Sequence, residues 1–66
     1  MIILEDLLKV LDKQTTVVIA YPDGEKLYTG DINLVPNKLL NSKVTYVLTE
    51  ALLVYIEIEK EERSLE

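Results

Sequence analysis

Residues 43–58, K-V-T-Y-V-L-T-E-A-L-L-V-Y-I-E-I, constrain this chain more than any other stretch. They form its longest apolar region. Val44, Thr45, Val47, Thr49, Val54, Ile56 and Ile58 are β-branched, and such side chains lose χ1 freedom in a helix. A single helix is the competing reading, and this content argues against it. Period-two alternation predicts two strands. Val44, Tyr46 and Leu48 fall on one face, against Lys43, Thr45, Val47 and Thr49 on the other. After Thr49-Glu50-Ala51 a second run places Leu52, Val54, Ile56 and Ile58 on one face, with Leu53, Tyr55, Glu57 and Glu59 opposite. The turn between them lacks Gly, Pro and Asn, so its type and the register stay open.

The second face of this hairpin is half apolar, through Thr45, Val47, Leu53 and Tyr55. A sheet with one wet face is more polar there. Three arrangements meet the pattern: a sheet curled into a barrel, a sheet covered on both sides, or a face that meets another chain. Ordinary internal packing competes with all three, because scattered surface apolar residues are common.

The N-terminal part supplies the remaining elements. Leu4, Leu7, Leu8 and Leu11 form one stripe at helical spacing, predicting a helix over residues 3–13. Glu5 and Lys9 make a favourable i, i+4 pair. Ile2 and Ile3 serve as an extended lead-in. A stripe of this length is core more often than a partner-binding face, because tertiary packing holds short helices. A strand over 16–21 follows, then Tyr21-Pro22-Asp23-Gly24-Glu25-Lys26. Pro, Asp and Gly in this order specify a type I turn with a Gly bulge. With residues 22–25 as the loop, Tyr21 faces Lys26, Ile19 faces Tyr28 and Val17 faces Gly30. The helix then covers Val17, Ile19, Tyr21, Tyr28 and Ile32. The return strand runs over 26–32. Pro36 opens a single helical turn over 36–40, and Leu34, Leu39 and Leu40 plug the open end of the sheet.

The expected fold is α+β: an N-terminal helix packed on a twisted four-stranded antiparallel sheet made of two hairpins. Meander order is simplest, with closure into an SH3-like barrel as a possible end point. Residues 1–64 read as one domain, with an acidic tail over 59–64. Leu65-Glu66 reads as a cloning remnant. A chain of 66 residues buries only about 60% of its unfolded surface, so self-association is a common route to stability.

Composition narrows the chemistry. The chain has no Cys and no His, which removes disulfides, thiolate chemistry and the usual zinc ligands. Asp23 and Asp31 sit at opposite ends of the first hairpin, and Asp23 is explained by turn geometry. Ser42 and Ser64 have no adjacent base. The two glycines stand apart, so no phosphate loop exists. Neither an enzyme nor a bound cofactor or metal is expected. No run reaches the roughly 20 apolar residues of a membrane span, and no signal-peptide pattern opens the chain. It reads as cytoplasmic, with no membrane partner.

Net charge is −5, which disfavours direct nucleic-acid binding. Five Glu against Lys60 and Arg63 concentrate −3 of it in residues 57–66. Two function classes follow. The first is a small interaction module that self-associates, or binds a host or phage protein, through Leu53, Tyr55, Val47 and Thr45. Tyr is enriched at protein interfaces, although Tyr55 serves equally well as core. The second is an acidic inhibitor, or nucleic-acid mimic, that presents Glu57, Glu59, Glu61 and Glu62 to a basic groove.

The layout L-x-x-L-L-x-V-L, a Pro-Asp-Gly hairpin, I-x-x-x-P and a final L-V-Y-I strand resembles small uncharacterised proteins of phages and mobile elements in Gram-positive bacteria. The resemblance implies a compact non-enzymatic accessory protein and carries no catalytic residues.

Overall fold

The computed structural model describes residues 1–60. Five strands and one short helix follow the chain as β1 (Ile2–Ile3), α1 (Leu4–Lys9), β2 (Thr16–Ala20), β3 (Lys26–Asp31), β4 (Lys43–Glu50) and β5 (Leu53–Ile58). Two 3₁₀ turns, Ile32–Leu34 and Asn37–Leu39, link β3 to β4. The sheet is open and mixed, in the order β1-β4-β5-β2-β3.

That order corrects the expected four-stranded antiparallel meander and the SH3-like closure. β2 and β5 lie parallel at the centre, pairing Val17 with Val54 and Ile19 with Ile56. The other three pairings are antiparallel. Strand composition explains the choice. T-V-V-I-A and L-V-Y-I-E-I are the strands best suited to burial, and parallel pairs need it. A meander would instead place β3 inside the sheet. β3 carries Lys26, Gly30 and Asp31, which suit an edge.

The core lies on one face of the sheet. Val17, Ile19, Val54, Ile56 and Ile58 project into it and meet Leu4, Ile32 and Leu39 from the covering segments. Burying each such Leu or Ile side chain is worth about 1.5–3 kcal/mol. Leu7, Leu8 and Leu11 pack against this cluster, as their spacing predicts. The helix itself is shorter than 3–13. Val10 and Leu11 donate to the carbonyls of Leu7 and Leu8, three residues back, and this tightening ends the helix. Asp12 then accepts from the Gln14 N–H at 2.8 Å and starts a turn. The Ile2-Ile3 lead-in pairs with Val44 and Lys43.

The first hairpin follows its turn chemistry. The Gly24 N–H donates to the Tyr21 carbonyl, the Tyr21 N–H donates to the Glu25 carbonyl, and Gly24 has φ +100°. The loop is therefore Pro22-Asp23-Gly24, one residue shorter than expected. Ile19 pairs with Tyr28 and Val17 with Gly30, as read. Lys26 pairs with Ala20 rather than Tyr21, because the register shifts by one residue between Ile19 and Ala20.

β3 ends at Asp31 instead of Ile32. The Asp31 carboxylate accepts from the Asn33 N–H at 2.8 Å and opens the first 3₁₀ turn. Pro36 precedes the second turn rather than entering it. Leu39 is buried in the core, but Leu34 is exposed and Leu40, half-buried, lies outside the core cluster, so of the three only Leu39 plugs the sheet.

Candidate interaction surface

The second hairpin departs from simple alternation at one residue. Val44 pairs with Ile58 and Tyr46 with Glu57, so Thr45 has no partner of its own. This bulge moves every following side chain to the opposite face. Val47, opposite Ile56, now packs on the core. Tyr46 and Leu48 take the outer face, opposite Glu57 and Tyr55. Thr45 spans the kink, donating from Oγ1 to the Glu57 carbonyl at 3.2 Å.

The four residues expected at the interface therefore separate. Leu53 and Tyr55 lie on the outer face, Val47 faces inward, and Thr45 is an exposed residue of the bulge. Tyr46 and Leu48 are the members that alternation missed. Thr45 carries no Gly or Pro to mark the bulge. The usable signal is the three-residue spacing of Val44 and Val47, which strict alternation splits between two faces.

The turn is also shorter than the expected Thr49-Glu50-Ala51 and starts two residues later. Glu50 pairs with Leu53, so Ala51 and Leu52 form the loop. Leu52 is exposed there rather than aligned with Val54, Ile56 and Ile58. Ala51 has φ +30°, a left-handed value that Gly adopts more easily.

Together these shifts build one surface. Tyr46, Leu48, Leu53 and Tyr55 share the outer face of β4 and β5. Val18 adjoins Tyr55 on β2, and Thr29 adjoins Val18 on β3. Tyr46 is 49%, Leu48 45% and Leu53 37% exposed. The rings of Tyr46 and Tyr55 meet edge to face, with centroids 6.3 Å apart. The Tyr55 hydroxyl donates to Glu57 Oε2 at 2.9 Å. That bond to a carboxylate, with some burial, raises the Tyr55 pKa. The helix and both 3₁₀ turns lie on the other side, where their buried residues join the core.

The acidic residues are distributed differently. Glu57 is half-buried and held by Tyr55. Glu59 lies 4.0 Å from Lys43. Glu61 and Glu62 lie outside the described residues, as does Leu65-Glu66. Among the described residues, no three acidic side chains cluster to hold a metal ion.

A cleft of about 740 Å³ opens at the other end of the core face, with Tyr21, Leu39 and Ile58 in its wall and Lys38, Lys43 and Lys60 beside them. Lys60 is held there, 3.5 Å from Asp23 and 4.0 Å from Glu25, with its ammonium 5.2 Å from the Tyr21 ring centroid. The Glu25 N–H bonded to the Asp23 carboxylate, aided by Lys60, holds that carboxyl below the usual range despite some desolvation. These contacts brace the turn. No helix among the described residues is long and apolar enough to cross a membrane. No family model matches the chain, nor does any curated protein or solved structure.

Proposed function

We propose that this chain is a small non-enzymatic interaction module that self-associates through the outer face of its sheet. One observation carries the reading. Tyr46, Leu48, Leu53 and Tyr55 form a continuous apolar surface on the side of the sheet away from the helix. Aromatic residues supply much of the contact energy at protein interfaces. Charged groups stand at its border, at Glu50 and Glu57, rather than inside it. A chain this small has little core of its own, so covering the face adds stability. The resemblance to small phage and mobile-element proteins is compatible with such an accessory role.

The test is solution mass by light scattering on a sizing column, at low and high salt. The expected result is a dimer or larger assembly that salt leaves unchanged, because apolar contact is not screened. Leu48→Lys should then return the protein to a monomer. A monomer in the parent protein at both salt concentrations overturns the reading. The acidic-mimic alternative predicts the opposite salt response, with binding to a basic partner lost as salt rises. Glu57 and Glu59 are each engaged within the molecule, so no geometric observation favours it.

A further inference from the structure

We propose that the free edge of β4 pairs antiparallel with β4 of a second copy, joining two five-stranded sheets into one. This rests on the self-association reading and locates the contact at the β4 edge, where Tyr46 and Leu48 of the outer face meet the second copy while Leu53 and Tyr55, on the inner strand β5, stay uncovered. Three observations lead to it.

The first is a row of unpaired backbone groups. β1 covers only Lys43 and Val44, the first two of the eight residues of β4. Beyond them, among the described residues, the outer edge has no neighbouring strand. The two-residue loop is closed by Glu50 and Leu53, whose backbone groups face each other. Alternation then points those of Leu48 toward Tyr55 and those of Val47 and Thr49 outward. The Thr16 N–H on the Leu52 carbonyl, at 3.0 Å, fits the same alternation on β5.

The second is the contrast with the opposite edge. β3 carries Lys26, Gly30 and Asp31, residues that discourage pairing. From Val44 to Thr49, β4 has no charge, no Gly and no Pro.

The third is complementarity under a two-fold axis. Lys43 and Glu50 occupy opposite ends of β4. Parallel pairing would set Glu50 beside Glu50. Antiparallel pairing turns each acidic end toward the basic end of the other copy. β1 limits the register, because the incoming strand must stop short of Ile2, and the longest overlap that this allows sets it. Leu48 then faces Leu48 of the second copy, Val47 faces Thr49, and Tyr46 faces Glu50. Exposed Leu52 of one copy comes toward exposed Met1 and Ile2 of the other. A strand edge about 20 Å long supplies only part of the roughly 800 Å² per partner that a stable interface needs. The Leu48 pair and these end contacts add to it, and the outer faces merge into one surface.

The chain has no Cys, so single substitutions report proximity without background. Leu48→Cys should give a disulfide-linked dimer under mild oxidation, doubling the 7.6 kDa mass on a non-reducing gel. Facing Cβ atoms in a non-hydrogen-bonded pair lie about 4.5–5.5 Å apart, and small adjustments bring them to disulfide range. Face-to-face stacking holds backbones about 10 Å apart, beyond the roughly 7 Å Cα limit of a disulfide. Tyr55→Cys and Thr29→Cys should remain uncrosslinked, while a mixture of Tyr46→Cys and Glu50→Cys should form the mixed dimer. Leu48 is exposed, so its substitution should leave the circular dichroism spectrum unchanged. Association without a Leu48→Cys crosslink overturns edge pairing and leaves the module reading standing. A crosslink through Thr29→Cys also overturns it, in favour of β3. A monomer with no crosslink overturns both proposals.

Discussion

The two hairpins solve the same problem by different means. β2 and β3 are joined by Pro22-Asp23-Gly24, in which each residue supplies a conformation that the turn requires. Asp23 accepts from the Glu25 N–H at 2.9 Å, and Gly24 takes the positive φ. Local chemistry is sufficient there. β4 and β5 are joined by Ala51 and Leu52, neither of which favours a tight hairpin. Ala51 is held at φ +30° by what surrounds it. β5 is locked between β2 and β4, with Val54, Ile56 and Ile58 buried. A register can thus be written into a turn or imposed by the strand it closes.

The largest test of that difference acts on the shared centre. Ile19 and Ile56 are fully buried neighbours across the parallel pair. Ile56→Ala should cost about 2–5 kcal/mol and lower the denaturant midpoint of the whole domain in one transition. Loss of β5 signals alone, with β2 and β3 intact by hydrogen exchange, would show that the first hairpin stands by itself.

The next test targets the two turns, where opposite signs are expected. Gly24→Ala meets no atom within 4 Å, so its cost is purely conformational, about 1–2 kcal/mol. Ala51→Gly relieves a left-handed Ala and should stabilise by about 0.4–1 kcal/mol, relief of strain outweighing the added freedom of the unfolded chain. Chemical denaturation measures both. Equal signs would mean that the second turn is not strained.

The smallest effect concerns pH. The bond to Glu57 raises the Tyr55 pKa, so an ultraviolet titration should show Tyr55 ionising above the free phenol range. Its contribution to stability is complete below the free phenol value of about 10. It is lost as pH rises through the raised folded value. Tyr55→Phe should remove that raised step. For Asp23 the sign reverses. Its lowered pKa gives a contribution present above the free carboxyl value and lost as pH falls through the folded one, so acid should loosen the first turn.

Much of this was legible before any coordinates. The leucine stripe of α1, the Pro-Asp-Gly turn, the Ile19–Tyr28 and Val17–Gly30 pairs and the strand character of β4 and β5 all rest on local signals. Leu53 and Tyr55 were placed correctly because β5 has no irregularity. Val47 was misplaced because one unpaired Thr45 inverts everything after it, and no side chain announces a bulge. Tyr46 and Leu48, half of the outer surface, were hidden by the same inversion.

The sequence by itself determined which segments are strands, where the first chain reversal falls and that no thiol or imidazole is present. Periodicity, turn stereochemistry and composition each act within a few residues. Tertiary structure decided the order β1-β4-β5-β2-β3, the parallel centre and the identity of the outer face. Those depend on which strands bury most apolar area against each other, and that competition is settled only when the whole sheet assembles.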